Sequence, residues 1–309
     1  MIITISFNPA IDQTIDINNY KYTGINRVEH MEIDAGGKGI NVAKNLKVLS
    51  ENPVILGFIG GRIGNIFKDM INNLQIKNDF TYIYGETRIN TKIIEKNGNI
   101  TELNGIGPEI SLDRINEMMI KIDSYATEDT LFVLSGKISQ GIESDLFKKI
   151  INLAHERGAK VAIDSSGEIL DDVLMEKPEI LKIKLKELKK VYKKDDISEK
   201  EILEISNEFI KKGIKYVVVS MAEKGAMFTT KEDTYLCISP KVKTHSTVGA
   251  GDALMAGLIY GIGNKLNFEK IAKLATAMSV GAVMTIGTKP SSKEMIENLY
   301  FSIDSIKLK

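Results

Sequence analysis

Short apolar runs alternate with amphipathic helical patterns through the second half of the chain. The runs at 130–134, 160–164 and 215–220 are rich in Val, Ile and Leu, and helical periodicity appears at about 143–157 and at 198–212. Near-continuous apolar runs separated by amphipathic helices indicate a parallel sheet covered by helices on both faces. The pattern therefore predicts a three-layer α/β core with right-handed crossovers.

The first third of the chain has a different pattern. Short alternating segments lie within about 11–34 and 81–104, without helices inside them, and Asn97-Gly98 is typical of a tight hairpin turn. Because these segments are interleaved with core elements, residues 1–309 are expected to form a single domain. The segments would build a small sheet that projects as a lid over the α/β crevice. The alternative is an antiparallel extension at the edge of the main sheet.

Composition excludes several classes of function. The 309 residues carry 41 Lys+Arg against 41 Asp+Glu, so the charge-driven attraction behind general nucleic-acid binding is missing. The one cysteine permits neither an internal disulfide nor a cysteine zinc cluster, which favours a reducing, cytoplasmic location. The longest charge-free apolar stretch, 274–288, is shorter than the roughly 20 residues of a membrane span. Neither a nucleic acid nor a membrane is expected as a partner.

The segment 246–252, Ser-Thr-Val-Gly-Ala-Gly-Asp, leads directly into an apolar helical run. Gly249, Ala250 and Gly251 would place backbone N–H groups at a helix N-terminus, where the helix dipole favours anions. Asp252, just inside this turn, could take a proton from an attacking hydroxyl. The motif suits phosphoryl transfer, although the same string could simply cap a helix.

A second glycine cluster, residues 34–43, also opens a helix. It lacks the hydroxyl residue that follows the lysine of a Walker loop, and it does not follow the first strand as a dinucleotide fingerprint would. Lys38 and Asn41 give it one cation and one amide, and both groups suit a sugar phosphate.

Taken together, the strings at 8–12, 36–42 and 247–252 match, in order, the signatures of the PfkB (ribokinase-like) carbohydrate kinases. The resemblance extends over nearly the whole chain. Within the family the chain looks most like the bacterial 1-phosphofructokinases, and tagatose-6-phosphate kinases share several of the relevant strings, which are 26–28, 85–90, 101–108 and 219–222.

The resemblance implies an ATP-dependent, Mg2+-assisted kinase that converts a ketohexose phosphate, with fructose 1-phosphate giving fructose 1,6-bisphosphate as first choice. Asp252 would be the catalytic base, and Gly249 to Gly251 would hold the transferred phosphate. Tagatose-6-phosphate kinase and 6-phosphofructokinase are alternatives of the same class. A non-catalytic sensor of sugar phosphate or nucleotide is an alternative of another class, and a dinucleotide oxidoreductase is a more distant one.

The same resemblance assigns further residues to the site. The sugar hydroxyls would be held by Asp12, Gly37 and Asn41. The phosphate already on the sugar would be held by Arg27, Lys38 and Arg88. Contacts to ATP would come from Lys182, Ser220 and Gly225, and Glu187 would lie near Mg2+.

Two positions depart from the family pattern. Lys184 stands where an asparagine is usual, and it could neutralise phosphate charge or compete with Mg2+. Lys137 stands where a hydroxyl residue is usual, and it could add a cation to the sugar-phosphate site or narrow that site. The exposed edge and apolar face of a lid sheet also make a homodimer through the lid plausible.

Overall fold

The computed structural model describes residues 1–136, 141–142, 145–165 and 169–309, and within these ranges it contains one ten-stranded and one four-stranded sheet. The strands are β1 Ile2–Ser6, β2 Ala10–Ile17, β3 His30–Gly36, β4 Val54–Gly60, β5 Lys77–Ile83, β6 Arg88–Glu95, β7 Ile100–Asn104, β8 Leu131–Ser135, β9 Lys160–Ser165, β10 Ile180–Lys184, β11 Tyr216–Ser220, β12 Ala226–Thr229, β13 Thr234–Ile238 and β14 Asp304–Lys307. The helices are α1 Lys38–Val48, α2 Gly61–Asn73, α3 Leu112–Tyr125, α4 Asp145–Glu156, α5 Leu170–Met175, α6 Leu185–Val191, α7 Glu199–Lys211, α8 Ala250–Gly263, α9 Phe268–Met284 and α10 Lys293–Phe301.

The large sheet has the order β14-β13-β12-β11-β10-β9-β8-β1-β4-β5. Its strands from β11 to β5 are parallel, and β12, β13 and β14 are antiparallel at one end. Apolar side chains of α3 to α7 pack on one face, and those of α1, α2 and α8 to α10 pack on the other. The predicted three-layer α/β core is confirmed, and the predicted strands and helices of the second half agree with the observed bounds within two residues.

The small sheet has the order β3-β2-β6-β7 and forms no ladder with the large sheet. The predicted separate sheet is therefore confirmed, and the edge extension is not observed. The Asn97-Gly98 turn joins β6 to β7 as expected, with Gly98 at φ 90°. The expected segment 81–104 starts too early, because residues 81–83 belong to β5 at the edge of the large sheet.

The two faces of the small sheet differ in polarity. Cross-strand register places Asp34, Asp12 and Asn90 side by side on one face. The other face carries the exposed apolar side chains of Met31, Ile33, Ile89 and Leu103. Alternation along each strand thus gives the sheet one polar and one apolar surface.

Close packing of α8 against α9 fixes the position of the α8 N-terminus. A Cβ on Gly257 would lie 2.7 Å from the Cα of Ala275, so only glycine allows the two helices to approach this closely. Both helices are apolar on most sides because they are buried between the sheet and their neighbours. Among the described residues, no helix is both long and apolar enough to cross a membrane.

Candidate active site

Functional side chains gather above the carboxyl ends of the parallel strands, the usual ligand crevice of open α/β sheets. Asp164 lies near the end of β9, Lys184 ends β10 and Ser220 ends β11. The N-termini of α1 and α8 open on the same crevice, and the polar face of the small sheet lies beside it. We call this small sheet, β3-β2-β6-β7, the lid.

The N-terminus of α8 carries the main predicted motif. Gly249 precedes the helix in a left-handed conformation, at φ 83°, which glycine adopts without strain. The N–H groups of the first helical turn have no acceptor within the helix, so they are available to an anion. Asp252 lies in this first turn and is only 5% exposed, while Asn41 of α1 donates from Nδ2 to its Oδ2 over 2.9 Å.

The environment of Asp252 favours its protonated form more than water does. Burial, together with the negative charge of Asp164, raises the pKa of Asp252 to about 6. The hydrogen bond from Asn41 and the positive charge of Lys38 oppose this shift. The carboxyl group can therefore accept and release a proton near neutral pH, as a general base must.

Asp164 is held between two lysines beneath this helix N-terminus. Its Oδ1 lies 2.7 Å from Nζ of Lys182, and its Oδ2 lies 3.3 Å from Nζ of Lys38. Burial alone would raise the pKa of Asp164, but the charges of Lys182 and Lys38 outweigh it and lower the pKa. Burial would likewise lower the pKa of Lys38, yet the charges of Asp164 and Asp252 raise it. Asp164 and Lys38 are thus both kept ionised.

Asp12, which is predicted to hold a sugar hydroxyl, lies in a polar cluster on the lid. Asn90 donates from Nδ2 to Oδ1 of Asp12 over 2.8 Å, and burial raises the pKa of Asp12. Glycine is required at position 36 in this arrangement, because a Cβ there would overlap the Asp12 carboxylate. Gly37 occupies the N-cap position of α1 with φ 117°. The predicted residues Asp12 and Gly37 therefore lie at the junction between the lid and the crevice.

Two buried amide oxygens beside this junction have no hydrogen-bond partner within the described part of the chain. They are Oδ1 of Asn41 and Oδ1 of Asn90. Buried acceptors normally find a donor, so unsatisfied ones at a crevice are suited to the hydroxyl groups of a ligand.

Lys92 connects the lid to the loop before α8. Its Nζ donates to Oγ of Ser246 over 2.8 Å, and the same oxygen accepts from the backbone N–H of Val248. Sequence reasoning did not assign Asn90 or Lys92 to the site. The signal was available, because residues two apart on a strand share a face and both follow Arg88 at that spacing.

The two predicted phosphate-binding arginines are placed differently. Arg88 directs its guanidinium to the backbone carbonyls of Asn8 and Gly105, at 2.9 and 3.0 Å, where the chain enters the lid before β2 and leaves it after β7. Arg27 is exposed on the loop that joins β2 to β3. Its role in binding the sugar phosphate stays a prediction.

The predicted nucleotide side lies across β10 and β11. Lys184 pairs with Ser220 in the parallel ladder and caps the N-terminus of α6, whose first turn carries Glu187. Gly225 adopts φ 102° where a Cβ would strike the carbonyl of Cys237, which gives it a structural role in the β11–β12 connection. Lys137 lies outside the described residues.

Mg2+ bound with a nucleotide usually takes one or two carboxylates, water and the phosphates themselves. The residues present fit that pattern, since the Glu187 side chain is 17% exposed and its charge acts on Lys38 in the crevice. Over the ranges that the structure describes, no group of three or more His, Cys, Asp or Glu side chains could hold a metal.

Residues 6–295 match the family described as pfkB family carbohydrate kinase. The chain is 31% identical to the 1-phosphofructokinase of Bacillus subtilis over 299 residues, 97% of each protein. It is 31% identical to a tagatose-6-phosphate kinase of Staphylococcus epidermidis over 313 residues, 100% of each. A solved structure titled as a possible 1-phosphofructokinase of Thermotoga maritima superimposes with a TM-score of 0.91 at 28% identity, covering 100% of both chains.

Replacing Asp164 by Asn should destabilise the fold strongly. The substitution removes the counter-charge of Lys182, which is fully buried, and breaking a buried pair in this way costs about 3–5 kcal/mol. Urea unfolding at pH 7.5 measures the change in the free energy of unfolding. The matched control is Asp123→Asn, which breaks an exposed pair with Arg157 and should have a much smaller effect. An equal decrease in the free energy of unfolding in the two variants would show that the buried pair stabilises the fold no more than the exposed pair does.

Proposed function

The chain belongs to the pfkB family of carbohydrate kinases, and we propose that it transfers the γ-phosphate of ATP to fructose 1-phosphate, giving fructose 1,6-bisphosphate. It is a phosphotransferase, and carbohydrate kinases of this family use ATP as the phosphate donor. Such an ATP-dependent reaction also fits the cytoplasmic location expected from the sequence. The similarity to a tagatose-6-phosphate kinase makes tagatose 6-phosphate the alternative substrate.

One observation supports this proposal most directly. Asp252, with a pKa of about 6, lies in the first turn of α8 and accepts a hydrogen bond from Asn41 of α1. Helix α1 begins directly after the lid strand β3, and the neighbouring lid strands carry Asp12 and Asn90. A base, an anion-binding helix N-terminus and a cluster able to bind hydroxyl groups are thus within one crevice. Phosphoryl transfer requires these groups, because positioning and charge stabilisation supply most of its catalysis.

In the proposed reaction, Asp12, Asn90 and Asn41 hold the sugar hydroxyls, and Asp252 accepts the proton of the hydroxyl that attacks. The attacking oxygen forms a bond to the γ-phosphorus, and the bond from that phosphorus to the ADP oxygen breaks. The N–H groups at Gly249 to Gly251 stabilise charge on the moving phosphoryl group. Because the carboxylate is held by Asn41, it needs little reorganisation when the proton arrives.

Lys38 is the described cation best placed for the phosphate already on the sugar. It begins α1 and keeps a third of its side chain exposed, while its ammonium group is 3.3 Å from Asp164. Arg88 contributes mainly by fixing the base of the lid. Mg2+, when bound with ATP, would neutralise phosphate charge, and Glu187 is the carboxylate proposed to ligate it. Lys182, Ser220 and Gly225 complete the proposed nucleotide side.

The substrate assignment is tested by measuring ADP release with Mg-ATP and, in parallel, fructose 1-phosphate, fructose 6-phosphate and tagatose 6-phosphate. We expect the highest kcat/KM with fructose 1-phosphate. A higher kcat/KM with tagatose 6-phosphate would show that this sugar phosphate, and not fructose 1-phosphate, is the preferred substrate. Binding of all three sugars without turnover would contradict the kinase proposal and favour a sensor.

Asp252→Asn should lower kcat by about 10²–10⁴-fold, because it removes the proton acceptor while keeping the shape of the side chain. The KM for the sugar phosphate should change little, and the variant should be at least as stable, since it removes a buried charge. Near-normal turnover by the variant would refute the assigned base.

In the wild-type protein, kcat/KM should fall about tenfold per pH unit below about 6, where Asp252 becomes protonated.

We also propose a homodimer through the apolar face of the lid. Met31, Ile33, Ile89 and Leu103 lie on the same face and are between 43% and 56% exposed. Several exposed apolar side chains on one face often mark an interaction site. A two-fold contact would cover the same face of both copies.

Ile33→Glu should shift a dimer toward the monomer, because it places a charge on this apolar face. Light scattering at micromolar concentration measures the change. Ile120→Glu on α3, which is 71% exposed and remote from the lid, serves as the control and should leave the mass unchanged. A wild-type monomer at this concentration would contradict the proposed dimer.

A further inference from the structure

Three lysine side chains converge below the N-terminus of α8. A Cβ on Gly251 would lie 2.7 Å from Nζ of Lys182 and 4.0 Å from Cε of Lys184. Lys38 reaches the same place from α1, because its ammonium and that of Lys182 bind the two oxygens of Asp164. Gly251 therefore leaves room for positive charge directly beneath the helix turn that is proposed to hold the transferred phosphate.

Lys184 differs from the other two lysines in its contacts. Lys182 and Lys38 are paired with Asp164, whereas no hydrogen bond or salt bridge between described residues involves the Lys184 ammonium. Its nearest charges are mainly of its own sign. Partial burial, followed by the positive charges of Lys182 and Lys38, lowers the pKa of Lys184. An anion bound at this point would relieve that repulsion.

The position of Lys184 suits the phosphates of a nucleotide. It ends β10 beside Ser220 of β11 and lies against the turn at Gly251. It is thus between the strand end proposed to contact ATP and the helix N-terminus proposed to receive the γ-phosphate. In the family pattern an asparagine occupies this place, so the substitution adds one positive charge where an uncharged amide is usual.

We propose that Lys184 binds the nucleotide phosphates directly and so allows the site to hold a nucleotide without a divalent cation. The proposal rests on the kinase function proposed above. It assigns Lys184 part of the charge neutralisation that Mg2+ ordinarily supplies to a bound triphosphate. The opposite possibility is that Lys184 only repels Mg2+, in which case metal-free nucleotide would gain nothing from it.

The test is calorimetric binding of a non-hydrolysable ATP analogue, AMP-PNP, in excess EDTA and, separately, in excess Mg2+. Lys184→Asn should weaken binding in EDTA by about tenfold or more, and it should weaken binding less in Mg2+. Lys184→Arg should keep most of the metal-free affinity. The matched control is Lys186→Asn, which removes an exposed lysine from the first turn of α6, two residues further on, and should bind like the wild type.

The outcomes separate this inference from the function on which it rests. If Lys184→Asn and the wild type bound AMP-PNP with equal affinity in EDTA, the inference would be overturned. This would hold even if both proteins bound Mg-AMP-PNP and phosphorylated the sugar normally. A larger loss in Mg2+ than in EDTA would also overturn it, because Lys184 would then act through the metal. If the wild type bound AMP-PNP neither in EDTA nor in Mg2+, the kinase function itself would be contradicted.

Discussion

A carboxylate buried at the N-terminus of α8 is the constraint on which the rest of the site depends. Asp252 needs burial to reach a pKa of about 6, but a buried charge is unfavourable unless nearby groups compensate it. Asn41 donates a hydrogen bond to it, and the charges of Lys38 and Lys182 favour its ionised form. Asp164 acts in the opposite direction while keeping both lysines in place. The balance leaves Asp252 able to exchange a proton near neutral pH.

The fold brings these groups together from distant parts of the chain. Parallel strands end at one edge of the sheet, which places Asp164 and Lys182 under the N-terminus of α8. The close packing of α8 against α9 at Gly257 fixes the position of α8 relative to the sheet. The lid is built from two separate segments, β2 and β3 directly after β1, and β6 and β7 directly before α3. Lys92 of β6 hydrogen-bonds Ser246 and so connects the lid to the loop that carries the anion-binding turn. Binding of a sugar under the lid can therefore affect the geometry around Asp252.

Much of this arrangement could be predicted from the sequence where the signal is local. The motif at 249–252 indicated a helix N-terminus with an acidic residue, and the apolar runs indicated the parallel sheet. Partnerships across the fold could not be read in this way. Asp164 looked like the end of an ordinary strand, and its contacts with Lys38 and Lys182 depend on how separate strands and helices pack. Arg27 lies on the exposed loop between β2 and β3, and the sequence pattern alone does not determine where such a loop lies relative to the crevice.

The proposed catalytic role of this site depends most directly on the ionisation of Asp252. Carbon-13 NMR of aspartate-labelled protein, with the Asp252 signal assigned by its loss in the Asp252→Asn variant, measures this pKa without reference to turnover. We predict a titration midpoint at about 6, above the range of exposed aspartates. A midpoint near the ordinary value of about 4 would contradict the account, because the burial and charge balance described here would then not govern this carboxyl group.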